Sequence, residues 1–137
     1  MKKVVNFVAY KNTFKWDQIG GTDSYMRRLS LGLINAKTKV NWLFYGKKDV
    51  AFSPVAELKI YHFSSFKNLF TQIENLNEPI VICYLQPIDR LKLIFYSLNK
   101  NINLYYLSFF FPDTILKKIL RYLEIIFTQY KSIFCVS

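Results

Sequence analysis

Ile19-Gly20-Gly21-Thr22-Asp23-Ser24-Tyr25-Met26-Arg27-Arg28-Leu29-Ser30-Leu31-Gly32-Leu33 decides how the chain is read. Two glycines run straight into an amphipathic helix, directly after an apolar run, Val4 to Tyr10, that reads as a strand buried on both faces. Paired glycines accept backbone angles closed to other residues and leave their N–H groups bare for a close-lying ligand. Thr22 or Asp23 is placed to cap the helix. Unpaired N–H groups and the positive end of the helix dipole suit a phosphate or a carboxylate, so Gly20, Gly21 and Thr22 form a candidate anion site. The same pair also serves as a plain strand-to-helix connection. Neither G-x-G-x-x-G nor G-x-x-x-x-G-K-[ST] occurs, so no nucleotide fingerprint applies.

Outward from this stretch, strands and helices alternate. Met26, Leu29 and Leu33 make the dry stripe of the first helix, with Gly32 placed to let it lie close to a strand. Asn41 to Tyr45 reads as a second strand, Gly46 to Glu57 as a loop and Leu58 to Phe63 as a third strand. Ser64 or Ser65 caps a helix whose Phe66, Leu69, Phe70 and Ile73 share one face. Ile80 to Tyr84 is a fourth strand. Pro87 suits the first turn of a helix expected to turn Ile88, Leu91, Ile94, Phe95 and Leu98 inward. Asn101 to Leu107 is a fifth strand. A long helix is expected from Pro112 to about Lys131, with Lys117, Arg121, Glu124, Thr128 and Lys131 wet and Ile119, Leu120, Leu123, Ile126, Phe127 and Tyr130 dry. Ser132 to Val136 is a sixth strand.

This alternation predicts an α/β fold: one doubly wound parallel sheet of about six strands, order 3-2-1-4-5-6, with helices on both faces. Ligands of such sheets sit beyond the carboxyl ends of the strands, where strand order reverses, which puts the Gly20-Gly21 turn in the expected cleft. Cys83 and Cys135 fall on strands four and six, about 9 to 10 Å apart across strand five, too far for a disulfide. Both read as small buried hydrophobes, with no CxxC or histidine partner at metal spacing. His62, beside Tyr61 and Phe63 on the third strand, reads as structural.

The chain has 137 residues, enough for one substantial core, and 52% apolar residues exclude general disorder. Nineteen Lys and Arg against nine Asp and Glu give +10, a field that draws phosphates, nucleic acid or an anionic membrane surface. The charge is scattered in pairs such as Arg27-Arg28 and Lys117-Lys118, with no run of five, and an excess spread over solvated faces accounts for it as well. Most aromatics fall on expected core faces, which argues against nucleic acid as a partner. No window reaches the ~18 apolar residues of a membrane span, and the amino terminus lacks a cleavage site, so the expected compartment is the cytoplasm.

Laid out in this order, the chain resembles the amino-terminal, acceptor-side domain of the retaining, nucleotide-sugar-dependent glycosyltransferases of family four, in which two Rossmann-like domains face each other across a cleft (the GT-B arrangement). The likeness rests on the first strand with Gly20 to Leu29, on Leu104 to Pro112, and on Leu120-Arg121-Tyr122-Leu123-Glu124 through Ser132 to Ser137. It implies that Gly20, Gly21 and Thr22 approach the donor diphosphate and steady the charge on the departing nucleotide. It implies acceptor recognition by this domain, for which the loops offer Lys15, Trp16, Asp17, Tyr84, Ser108 and Asp113. Trp16 reads equally as a loop anchor. The family works without a tightly held metal, and the sequence has no Asp-x-Asp pair to hold one, so no cofactor is expected beyond the nucleotide-sugar donor. Many members carry a histidine where Ser108 or Phe109 stands here, so that role is not inherited and the catalytic residue stays unassigned. The second, nucleotide-gripping domain with its Glu-x7-Glu motif is absent. Residues 1–137 are thus expected to be one domain of an enzyme that is inactive without its other half, supplied in cis or in trans.

The implied function is transfer of a sugar from a nucleotide-sugar to a glycan or lipid-linked acceptor in cell-surface polysaccharide assembly. With a lipid-linked acceptor, the basic charge suggests peripheral attachment to an anionic membrane at its inner face. For that attachment, the dry side of the helix from Pro112 is either core or membrane face. The rival reading is a non-catalytic basic module for anionic lipid, polysaccharide or nucleic acid.

Overall fold

The computed structural model describes residues 3–10, 21–46, 55–98, 100, 102–108, 114–126 and 130–135. In chain order the elements are β1 (Val4–Tyr10), α1 (Gly21–Asn35), β2 (Lys39–Tyr45), β3 (Leu58–Phe63), α2 (Phe66–Glu74), β4 (Ile80–Tyr84), α3 (Pro87–Ser97), β5 (Leu104–Ser108), α4 (Ile115–Ile126) and β6 (Tyr130–Cys135). The strands make one six-stranded sheet, order β3-β2-β1-β4-β5-β6, and each neighbouring pair is parallel. This is the expected doubly wound, Rossmann-like sheet.

Parallel strands need crossovers, and the crossover helices cover both faces, which is why β1 is apolar without alternation. Val8 points to one core with Leu43, Ile82, Leu104 and Tyr106, roofed by Leu69 and Ile73 of α2 and Leu93 of α3. Phe7 and Ala9 point to the other with Trp42 and Phe44, under Met26, Leu29 and Leu33 of α1. Trp42 is fully buried, stacked on Phe7 at 5.0 Å and on Phe44 at 5.6 Å between ring centroids, and its indole Nε1 donates to Ser30 Oγ at 3.4 Å. Asn6 is the polar exception within β1. It is fully buried, accepts from Asn41 Nδ2 at 2.8 Å, and donates to Glu78 Oε2 and the Pro79 carbonyl, so it is satisfied as a buried amide must be. Ser65 caps α2, accepting from the Asn68 N–H at 3.3 Å.

Five local expectations are corrected. Helix α1 begins at Gly21, so Thr22 and Asp23 lie in its first turn instead of ahead of it. Gly32 faces outward, and a Cβ there would meet nothing within 4 Å, so no strand approaches it closely. On α3 the buried residues are Arg90, Leu93, Ile94 and Ser97, while Ile88, Phe95 and Leu98 are exposed. Helix α4 is described over Ile115–Ile126, and Tyr130 and Lys131 belong to β6 in place of the helix. Its faces are also rotated from the expected ones: Glu124 is fully buried and Ile119 and Ile126 are exposed, while Lys117 is exposed and Leu120 and Leu123 are half-buried as expected.

One polar cluster occupies the sheet-facing side of both helices. Arg90 Nε donates to Glu124 Oε1 at 2.8 Å, and Nη1 donates to the Leu85 carbonyl at 2.5 Å. Arg121 Nη2 donates to the Tyr106 hydroxyl at 2.9 Å, and its Nη1 lies 3.5 Å from Glu124 Oε2. Both guanidiniums sit over the Tyr106 ring, at 5.0 and 4.5 Å from its centroid. Turning these polar groups toward the sheet turns the helices' aliphatic stripes away from it.

Candidate functional site

The strand order places the topological switch between β2 and β4, on either side of β1, so the crevice of this fold lies over the carboxyl ends of β1 and β4. Helix α1 leads back to β2, whose first residue, Lys39, pairs with Val4 at the amino end of β1. With 15 residues against 7, α1 and β1 both span about 23 Å, so Gly21 stands at the carboxyl rim. Gly21 has φ +58°, in the left-handed region that favours glycine, and among the described residues nothing lies within 4 Å of where a side chain would be. Asp23 in the same first turn brings a carboxylate to the positive end of the dipole.

Across the crevice, β4 carries an irregularity. Val8 pairs with Ile82 but Ala9 pairs with Tyr84, so Cys83 is taken up as a bulge and the end of the strand is advanced by one residue. Such bulges re-aim the residues at a strand's end. Tyr84 therefore ends β4 directly beside β1, and Ser108 ends β5 opposite Cys135 of β6. Sequence reasoning thus has Gly21, Tyr84 and Ser108 on one rim. Gly20, Lys15, Trp16, Asp17 and Asp113 lie outside the described residues, and Thr22 is placed through its backbone in the first turn of α1.

Three rim residues were not singled out from sequence. Tyr10 and Tyr45, the last residues of β1 and β2, bring their rings to 5.7 Å, and Tyr45 stacks on Phe66 at 3.9 Å. Asp89 lies half-buried in the first turn of α3, immediately behind β4. Burial pushes its carboxyl above the ordinary value, opposed by Lys92, whose ammonium is 3.8 Å away. The available signals were a tyrosine at the end of each of two consecutive strands, and an acid two residues after the Pro87 that opens a helix.

Cys83 is buried, and burial pushes its thiol well above the usual range, which disfavours the thiolate. His62 lies on the edge strand β3, stacked against Phe44 at 5.7 Å and two strands from β1. Among the described residues, no three His, Cys, Asp or Glu side chains gather as a metal site would need, and no helix is long and apolar enough to cross a membrane. No protein-family model, curated protein or solved structure matches the chain.

Proposed function

We propose that this chain is the acceptor-side domain of a nucleotide-sugar-dependent glycosyltransferase, working with a second nucleotide-gripping domain in cis or in trans. The observation that carries the proposal is Gly21. A bare, left-handed backbone position opens the helix that follows β1, at the carboxyl rim, and among the described residues nothing lies within 4 Å of where its side chain would be. In this reading the first-turn N–H groups of α1 face the donor diphosphate and offset the charge that builds as the sugar leaves. Asp23 sets a limit on that role: its carboxylate must turn away from the phosphates or exchange its contacts when they bind. Tyr10 and Tyr45 supply ring faces and Asp89 a hydrogen-bond acceptor for sugar hydroxyls of a glycan or lipid-linked acceptor, beside Tyr84 and Ser108. No metal ligand set is assigned, and a lipid-linked acceptor would hold the enzyme at the inner face of a membrane.

The test is a titration of the isotopically labelled chain with pyrophosphate and with nucleoside diphosphates, followed through backbone amide shifts. Gly21 and Thr22 amides are expected to move with saturation, and Gly21→Val, which forces a β-branched residue into the left-handed region, is expected to remove the response. Shifts spread over surface lysines and indifferent to Gly21→Val would overturn the assignment. Diphosphate binding at Gly21, with no sugar transfer on complementation by a nucleotide-gripping half, would leave a binding module in place of an enzyme.

A further inference from the structure

The outer layer formed by α3 and α4 is apolar where a crossover helix is normally polar. On α4, Ile115, Ile119, Tyr122 and Ile126 are 77%, 52%, 64% and 54% exposed, and their spacing of four, three and four residues aligns them in one stripe along the helix. Leu116 beside them is 65% exposed. Helix α3, which packs against α4, turns Ile88 and Phe95 outward on the side opposite its buried Arg90, Leu93 and Ser97.

The fully exposed charges around these stripes are basic. Lys118 lies one turn from both Ile115 and Tyr122, and Lys92 one turn from both Ile88 and Phe95; both lysines are exposed, the Lys92 ammonium also lying 5.2 Å from the Phe66 ring centroid of α2. The one carboxylate of α4, Glu124, is on the opposite side of the helix and fully buried against Arg90. The acid of α3, Asp89, is half-buried and faces Lys92. What the layer presents is therefore aliphatic side chains edged by ammonium groups, on a chain of net charge +10. A second copy of the chain would bring like charges together across such a face, and an acidic surface with an apolar interior would not.

We propose that the α3–α4 layer docks on an anionic lipid bilayer, with the α4 stripe lying in the plane of the interface and Lys118 and Lys92 among the headgroups. Helix α4, at 12 residues, is about 18 Å long, suited to lying in the interface and too short to span it. This inference stands on the two helices alone and does not require the sugar-transfer reading.

Flotation of the full chain with phosphatidylglycerol-containing and with pure phosphatidylcholine vesicles tests it. The wild type is expected to float with the anionic vesicles, and less as salt rises. Ile119→Asp, an exposed substitution, is expected to lower partitioning at least tenfold with the urea midpoint unchanged. Lys92→Gln/Lys118→Gln is expected to lower it about 30-fold, since each lysine at the surface contributes about a fivefold factor, and Lys59→Gln on β3 is expected to leave it unchanged. If Ile119→Asp fails to fold, Ile115→Ser and the lysine pair carry the test. Equal binding to both vesicles, or loss on Lys59→Gln as large as on the lysine pair, overturns the proposal. So does a dimer in vesicle-free solution that Ile119→Asp dissociates, which would assign the face to a second copy.

Discussion

Replacing Glu124 by alanine strands a positive charge inside the fold. Arg90 is 8% exposed, and its Nε is tied to Glu124 Oε1 at 2.8 Å. Once the carboxylate is gone, the Leu85 carbonyl and the Tyr106 ring remain as its partners, and neither neutralises the charge. Breaking a buried ion pair from one side costs about 3–5 kcal/mol, a large share of the ~5–15 kcal/mol that stabilises a domain. With a urea dependence of about 2 kcal/mol per molar, the midpoint should fall by ~2 M. Trp42, stacked in the core between Phe7 and Phe44, is a built-in fluorescence reporter of that transition. The converse variant is Arg90→Met/Glu124→Leu. Burial pushes the Glu124 carboxyl above its ordinary value even though Arg90 and Arg121 pull it down, so desolvation outweighs what the two guanidiniums return. An apolar pair of similar volume is therefore expected to be within about 1 kcal/mol of the wild type, or more stable. The pH dependence carries the same sign. The folded state holds this proton more tightly than the unfolded chain, so the group's contribution to stability is greatest below the unfolded value of 4.5 and declines as pH rises toward the folded value. That decline should vanish in the double variant. A cost below about 1 kcal/mol for Glu124→Ala, or a double variant as unstable as the two single ones added together, would refute the reasoning.

Three further outcomes follow from the packing and the surface. Trp42→Ala removes a fully buried indole that two rings stack on, and should cost about 3–5 kcal/mol in urea unfolding; a cost under 2 would mean that the core beneath α1 is looser than drawn. Ser65→Ala leaves the Asn68 N–H without its capping oxygen and should cost about 1 kcal/mol, with Ser65→Asp restoring it. Glu74 accepts from Lys100 and, at 2.6 Å, from the Tyr96 hydroxyl, and these bonds, Lys100 first, hold its carboxyl below the ordinary value. Its contribution is present above the unfolded value of 4.5 and is lost as pH falls through the folded one, so Glu74→Gln should flatten the acid limb of the stability profile; an unaltered limb would dismiss the network.

Strands buried on both faces announce themselves, because a continuous run such as Val4 to Tyr10 or Ile80 to Tyr84 has few other uses, and the bounds of β1, β3 and β4 agree with the residues read for them. Sheet order was legible for the same reason: alternating elements with short connections leave few right-handed arrangements. Helix faces were a different matter. On α3 the residues Ile88, Leu91, Ile94, Phe95 and Leu98 make the better apolar stripe by composition, yet the helix is turned so that Arg90 and Ser97 face the sheet. Ser97 satisfies itself locally, its hydroxyl donating to the Ile94 carbonyl at 2.8 Å. Arg90 needs Glu124, 34 residues away, and periodicity within one helix carries no information about a partner in another.

The candidate site divides along the same line. The place of Gly21 at the carboxyl rim follows from the topology, and topology is what a sequence pattern encodes well. The bulge at Cys83, which brings the end of β4 level with that of β1, depends on register between two strands more than 70 residues apart, and neither strand shows it alone. The aliphatic stripe of α4 belongs to this second class. As a pattern it reads as core, and in the structure the opposite side of the helix, which carries the buried Glu124 paired with Arg90, faces the sheet instead. The pair and the exposed stripe are thus one structural fact, and it has a measurable consequence. The apolar replacement Arg90→Met/Glu124→Leu, which leaves the α4 stripe where it is, should still float with anionic vesicles. Its failure to do so would show that the ion pair itself, and not the apolar packing that can replace it on that side, holds α4 in this orientation.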